Sequence, residues 1–318
     1  MNILFFCEDH STELLQALTL ALPQHELVDW QRDRNEFDPD SIDAAICWNP
    51  PDDFFDNLSR LKIVHSIAAG VDHILTHRGL PSDITLLRLN DAGMAEQMAE
   101  YVLYGVLHAQ RRMTQLREAQ TNHNWAHDIE VPSASKLKVS ILGAGVLGTA
   151  VACRLTQNGY KVTAWRKHAP PSTATGATDG FLMVCGQSAL SDLLPVSDVL
   201  VCLLPLTNDT QGILDAELFS QLPPGAFLIN PARGAHLVDP DLINALDTGH
   251  LSGALLDVFN QEPLPDNHPL WDHPKVTITP HIAARTVIQQ SVQQIVANLD
   301  AIERGDTPLG IVNRQLGY

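Results

Sequence analysis

A chain of 318 residues, 45% hydrophobic and 18% charged, is long enough for two domains of ordinary size and has a globular composition, which excludes a disordered or fibrous protein. The formal net charge of −17 argues against nucleic acid and anionic membrane as partners, so any anionic ligand must be held by a local array of donors. The five cysteines, Cys7, Cys47, Cys153, Cys185 and Cys202, have no CxxC spacing and leave one over in any pairing, the pattern of reduced thiols in a cytoplasmic protein.

Residues 3–7 form a short apolar run that meets acids at once, which predicts a first strand and not a signal peptide. No apolar stretch approaches the length that spans a bilayer. Helical spacing follows over 12–22, strands over 26–30 and 44–48, a short amphipathic helix over 52–60 and a strand over 62–67. That alternation predicts a mostly parallel sheet covered by helices. A long helix is predicted over 92–117, with Met94, Met98, Val102, Leu103, Val106 and Leu107 on several of its faces. A helix apolar all round is buried between domains or subunits, so a homodimer is expected. From Lys136 a second βα series begins, with strands over 137–142, 161–165, 198–204, 226–230, 253–259 and 276–279. Helices are predicted over 146–158, 216–222 and 239–248, and a last one over 287–304 packs back on the first domain.

The second series opens on a GxGxxG turn, Gly143-Ala144-Gly145-Val146-Leu147-Gly148, between an apolar strand and a helix that stops at Gly159. Dinucleotide binding needs this arrangement. Gly143 makes the tight turn, Gly145 lets backbone approach a pyrophosphate, and Gly148 lets helix and strand pack closely. The helix start then offers free N–H groups and a positive dipole end to the phosphates. Past the next strand, where an acid would bind the ribose of NAD, stand Arg166 and Lys167. In isolation these would be two solvated cations. At this position they match a 2′-phosphate, so NADP is the expected cofactor, with NAD as the alternative.

Reducing a carbonyl beside a carboxylate needs a cation, an acid and a partner that keeps the acid charged. Arg233, Glu262 and His281 stand at predicted strand ends, where ligands of open α/β sheets bind. Taken singly, they also fit a helix-capping cation, a loop acid and one of 14 histidines. Two histidines at i, i+4, His123 and His127, lack the HExxH context of a metal site.

The motifs around these residues carry more than their spacing. The glycine turn, the strand end Leu203-Leu204-Pro205-Leu206-Thr207, the Asn230-Pro231-Ala232-Arg233-Gly234 motif, the run from Asp257-Val258-Phe259 to Glu262-Pro263-Leu264-Pro265, and Pro280-His281 come in one order. In these the chain resembles the D-2-hydroxyacid dehydrogenase family. Cys47-Trp48-Asn49-Pro50-Pro51 and Trp165-Arg166-Lys167 resemble its short bacterial glyoxylate/hydroxypyruvate reductases. The resemblance implies that Arg233 binds substrate, His281 is the acid/base, Glu262 pairs with the imidazole and Asp257 contacts the nicotinamide end. It also implies that Leu204, Pro205, Thr210, Pro231 and Ala232 line the cofactor, that Ala69 and Gly70 form a carboxylate-binding turn, and that Trp48 lines a small pocket. Arg285 departs from the pattern.

The expected fold is two doubly wound parallel-sheet α/β domains. A Rossmann cofactor domain, 91–285, is inserted into a flavodoxin-like substrate domain, 1–90 with 286–318, and the active site lies between them. The expected activity is reduction of a small 2-oxo acid with NADPH. A phosphoglycerate-type dehydrogenase, or a non-catalytic dinucleotide-sensing binding protein, remains the alternative.

Overall fold

In the computed structural model, which describes residues 1–8, 11–168 and 180–318, the chain divides into two units, Met1–Met94 with Thr286–Tyr318, and Ala95–Arg285. The first unit is built on β1 (Asn2–Cys7), α1 (Ser11–Ala21), β2 (Glu26–Asp29), α2 (Trp30–Asp33), β3 (Ala44–Trp48), β4 (Ile63–Ser66), α3 (Asp72–Leu75) and β5 (Thr85–Leu87). Its strands are parallel in the order β2-β1-β3-β4-β5. Both faces are covered, so β1 and β3 read as continuous apolar runs without alternation. One face packs Phe6 edge-on against Trp30, with ring centroids 5.6 Å apart, and both against Phe54.

The amphipathic helix expected over 52–60 is a run of turns. Its hydrogen bonds are short-range, Phe54 N to Pro51 O and Asp56 N to Asp53 O, and Asn57 adopts a left-handed φ of 63°. The apolar spacing that suggested a helix instead reports Phe54, Phe55 and Leu58 turned into the core. Strand β5 escaped the sequence reading because three residues are too few to show a period.

The second unit begins one residue into α4 (Met94–Gln110) and continues with α5 (Met113–Thr121). These replace the single helix expected over 92–117. The left-handed φ values of Asp91 and Ala92 delay its start, and Arg112, at φ 55°, breaks it. Helix α4 sends Met98, Ala99, Val102, Val106 and Ala109 into a core shared with the sheet. It lies close because Gly105 has no side chain: a Cβ there would sit 2.7 Å from Ile229. Tyr104 and Leu107 stay 48% and 43% exposed.

The βα series follows as β6 (Lys138–Leu142), α6 (Val146–Gln157), β7 (Lys161–Arg166), β8 (Leu182–Cys185), α7 (Gln187–Leu193), β9 (Val199–Cys202), α8 (Ala216–Gln221), β10 (Ala226–Asn230), α9 (Asp239–Asp247), β11 (Leu251–Leu256) and β12 (Val276–Ile278). The parallel order β12-β11-β10-β9-β6-β7-β8 reverses between β6 and β9. That is the switch point at whose carboxyl edge a doubly wound sheet binds its ligand. Strand β8 and helix α7 were not expected, since the edge strand leaves Leu182 exposed and shows no burial pattern. The last helix, α10 (Ile288–Arg304), belongs to the first unit, where it packs on α1.

Candidate active site

The glycine turn leaves β6 at the switch point. Gly143 has φ 111°, and a Cβ on it would lie 2.4 Å from Leu203 O; a Cβ on Gly148 would lie 1.9 Å from Gly143 O. Turn geometry and close packing therefore demand both glycines. Among the described residues no heavy atom lies within 4 Å of where a Cβ on Gly145 would be, so open space faces the turn there. Ala144 and Leu147 face the core, while Val146 is exposed at the start of α6. Among the described residues no side chain caps that helix, so its first N–H groups are left without a capping acceptor.

Arg166 ends β7, and the exposed Lys167 follows it. Lys167 Nζ donates to Asp209 Oδ2 at 2.5 Å, and this hydrogen bond, with the ammonium charge, holds the Asp209 carboxyl below its ordinary range. The sequence had no signal for this pair, whose members are 42 residues apart. Thr210 is buried. Its hydroxyl accepts from Thr207 N at 2.9 Å and donates to Pro205 O at 2.7 Å, closing the loop after Leu204. At the end of β10, Pro231 and Ala232 are buried and the Asn230 side chain spans the turn, accepting from Ala232 N and donating to Arg233 O. Asn230, which opens the motif but had no role assigned from the sequence, thus shapes the turn that presents the half-buried Arg233.

His281 Nδ1–H donates to Glu262 Oε2 at 2.7 Å, and Glu262 Oε1 accepts from Phe259 N at 2.9 Å. Partial burial pushes the Glu262 carboxyl up. The bonds from His281 and Phe259 N–H and the charges of His281 and Arg233 outweigh it, and the group lies below its ordinary value. With Nδ1 engaged, Nε2 meets no hydrogen-bond partner among the described residues. The resemblance put Asp257 at the nicotinamide end. Here its fully buried carboxylate takes donors from the segment around His281: Thr279 Oγ1 at 2.6 Å, Ile282 N at 2.9 Å and Ala283 N at 2.8 Å. Gln97 clamps the backbone of Arg285 through both ends of its amide, and the Arg285 side chain is exposed.

Trp48, Ala69 and Gly70 are on the first unit. Trp48 ends β3 and packs edge-on against His73. In the turn after β4, Ser66 Oγ accepts from Ala68 N, and Leu89 N donates to Ala68 O. Among the described residues the N–H groups of Ala69 and Gly70 meet no protein acceptor. Two adjacent unpaired N–H groups in a turn are the donors that an anion-binding concavity needs. The turn is braced by His65, whose Nδ1–H donates to Ser66 O while Nε2 accepts from Asn298. Burial pushes His65 down to about 4, so it is neutral at physiological pH. Among the described residues no cluster of His, Cys, Asp and Glu could hold a metal ion.

Comparison with known proteins gives a consistent result. The D-isomer specific 2-hydroxyacid dehydrogenase NAD binding domain matches residues 103–283. Glyoxylate/hydroxypyruvate reductase A of Serratia proteamaculans is 43% identical, with 100% of both chains covered, and that of Yersinia enterocolitica 41%, also over both full lengths. Among solved structures, a D-isomer specific 2-hydroxyacid dehydrogenase from Xanthobacter autotrophicus in complex with NADPH and MES superposes with TM-score 0.91 at 35% identity, covering 100% of this chain and 99% of that one. An NADPH-dependent glyoxylate/hydroxypyruvate reductase from Sinorhizobium meliloti in complex with NADP and sulfate gives TM-score 0.91 at 33% identity with the same coverage.

Proposed function

The chain belongs to the D-isomer specific 2-hydroxyacid dehydrogenase family, and from that premise we propose that it reduces a small 2-oxo acid of the glyoxylate/hydroxypyruvate class to the D-2-hydroxy acid with NADPH. The observation that carries this reading is the 2.7 Å bond between His281 and Glu262, with the Arg233 charge acting on the same carboxylate. NADPH, when bound, supplies the hydride. The second unit is the Rossmann domain that holds it. The turn Gly143–Gly148 and the start of α6 take the pyrophosphate, and the open space at Gly145 fits that group. Arg166 and Lys167 take the 2′-phosphate. Leu204, Pro205, Thr210, Pro231 and Ala232 would line the cofactor, with Asp257 toward its nicotinamide end.

The first unit is the substrate domain. Ala69 and Gly70 N–H groups bind the substrate carboxylate, and Trp48 limits the room beside it. Arg233 binds substrate and polarises the carbonyl, and it stabilises the negative charge that develops on oxygen. His281 gives that oxygen a proton from Nε2, and Glu262 favours the imidazolium that makes the donation. The protein acts as a cytoplasmic homodimer without nucleic-acid or membrane partners. The exposed Tyr104, Leu107, Met113 and Trp125, on and after α4 and α5, support a subunit contact there. No described helix is long and apolar enough to cross a membrane. The test is a panel of 2-oxo acids read by loss of NADPH absorbance. Turnover of glyoxylate or hydroxypyruvate is expected; NADPH binding without turnover of any 2-oxo acid would refute the reading and favour a dinucleotide-sensing role.

A further inference from the structure

We infer that Tyr101, on α4, is a positioning residue for the His281 acid, acting through a directed hydrogen-bond chain from Tyr101 O–H to Thr279 Oγ1 and from Thr279 O–H to Asp257 Oδ1. This rests on the reading of His281 as the proton donor. The Tyr101 hydroxyl lies 2.6 Å from Thr279 Oγ1, which lies 2.6 Å from Asp257 Oδ1. Asp257 takes donors on both oxygens, Thr279 and Ile282 N on Oδ1 and Ala283 N on Oδ2, as an acceptor-only carboxylate does. Thr279 has one proton. It goes to the carboxylate, so Thr279 Oγ1 accepts from Tyr101 and every direction in the chain is set. Burial, joined by the charge of Asp257, pushes the Tyr101 phenol well above its ordinary range, which keeps the donor protonated.

The anchored segment needs such support. His281 has a left-handed φ of 52°, which a side chain with a Cβ disfavours. Three successive amides hold it there: His281 N donates to Asp257 O, and Ile282 N and Ala283 N donate to the carboxylate. That backbone aims Nδ1 at Glu262. Asp257 is thus the clamp, and Thr279 is the bond through which Tyr101, 178 residues distant in sequence, orients it. Tyr101 touches no reacting atom on this account.

The experiment uses the full chain and the variants Tyr101→Phe, Thr279→Val, Thr279→Ser and the double variant Tyr101→Phe/Thr279→Val. Thermal melts confirm folding, and NADPH affinity is read by fluorescence. With glyoxylate, Tyr101→Phe is expected to lower kcat about tenfold, with the KM for the oxo acid and NADPH binding within about twofold. Thr279→Val should lose at least as much, Thr279→Ser should recover to within about twofold of the parent, and the double variant should be no worse than Thr279→Val alone. An unchanged kcat in Tyr101→Phe, additive losses in the double variant, or no rescue by serine would overturn the chain. The His281 Nδ1–H proton resonance, followed in parallel, should move in Tyr101→Phe and return in Thr279→Ser relative to Thr279→Val. A parent protein that turns over no 2-oxo acid yet shows this shift would refute the proposed activity and leave the positioning chain standing. A resonance that does not move refutes the chain whatever the activity.

Discussion

Replacing Glu262 by Gln keeps an oxygen for Phe259 N–H and removes the charge beside His281. A hydrogen bond to a charged group contributes about 1.5–3 kcal/mol when sheltered. Here the His281 and Glu262 side chains are 39% and 35% exposed, so solvent screening brings the pair to about 1 kcal/mol. The variant's reductive limb should move to lower pH, with about a fivefold loss of kcat/KM on the alkaline side, 1.4 kcal/mol being a factor of about ten. The loss should shrink to none on the acid side of the profile. The oxidative limb, which needs neutral imidazole, should move down with it. The assay is kcat/KM for NADPH-driven reduction between about pH 5 and 10, with oxidation of the hydroxy acid over the same range. Superimposable profiles would refute Glu262 as the histidine's electrostatic partner, and an equal loss at every pH would mean that it orients the ring without tuning its charge. Stability has the opposite pH sign. The Glu262 carboxyl is depressed in the folded protein, so its contribution is fully present above the ordinary carboxylate value and is lost as pH falls through the lower folded one.

NADPH should be used about tenfold or more better than NADH, because Arg166 and Lys167 stand where an acid would bind the ribose of NAD; Arg166→Asp should erase the preference, and equal kcat/KM in the parent would sink the idea. Asp209→Asn should tighten NADPH about twofold to fivefold and leave NADH unchanged, since it frees Lys167 from its carboxylate; titration of both cofactors decides. His281→Ala should lower kcat by about a hundredfold or more with NADPH binding intact, whereas Arg233→Ala should raise KM and lower kcat together. Sedimentation at micromolar concentration should show a dimer that Trp125→Ala with Leu107→Asp weakens, Trp125 being 90% exposed and Leu107 43%. A parent that sediments as a monomer would refute the subunit contact.

The glycine turn was legible because its requirements are local. A strand, a turn with φ 111° at Gly143 and a helix start occupy eleven consecutive residues, and each prints its own residue preference. Arg233, Glu262 and His281 were legible as candidates because βα periodicity puts them at strand ends, and the order of motifs then assigned their roles. Single-element periodicity failed where a backbone torsion overruled it. The helix over 92–117 is broken by one left-handed arginine, and the residues at 52–60 follow their aromatic side chains into the core as turns. What no sequence pattern contained was partnership at a distance. Tyr101 with Thr279, Lys167 with Asp209 and His65 with Asn298 are separated by 178, 42 and 233 residues. Each pair exists because particular strands became neighbours in a sheet or a particular helix covered them. Residue preference acts over a few bonds and was written in the chain, whereas a hydrogen bond needs two groups within about 3 Å, a distance that only the tertiary structure decides.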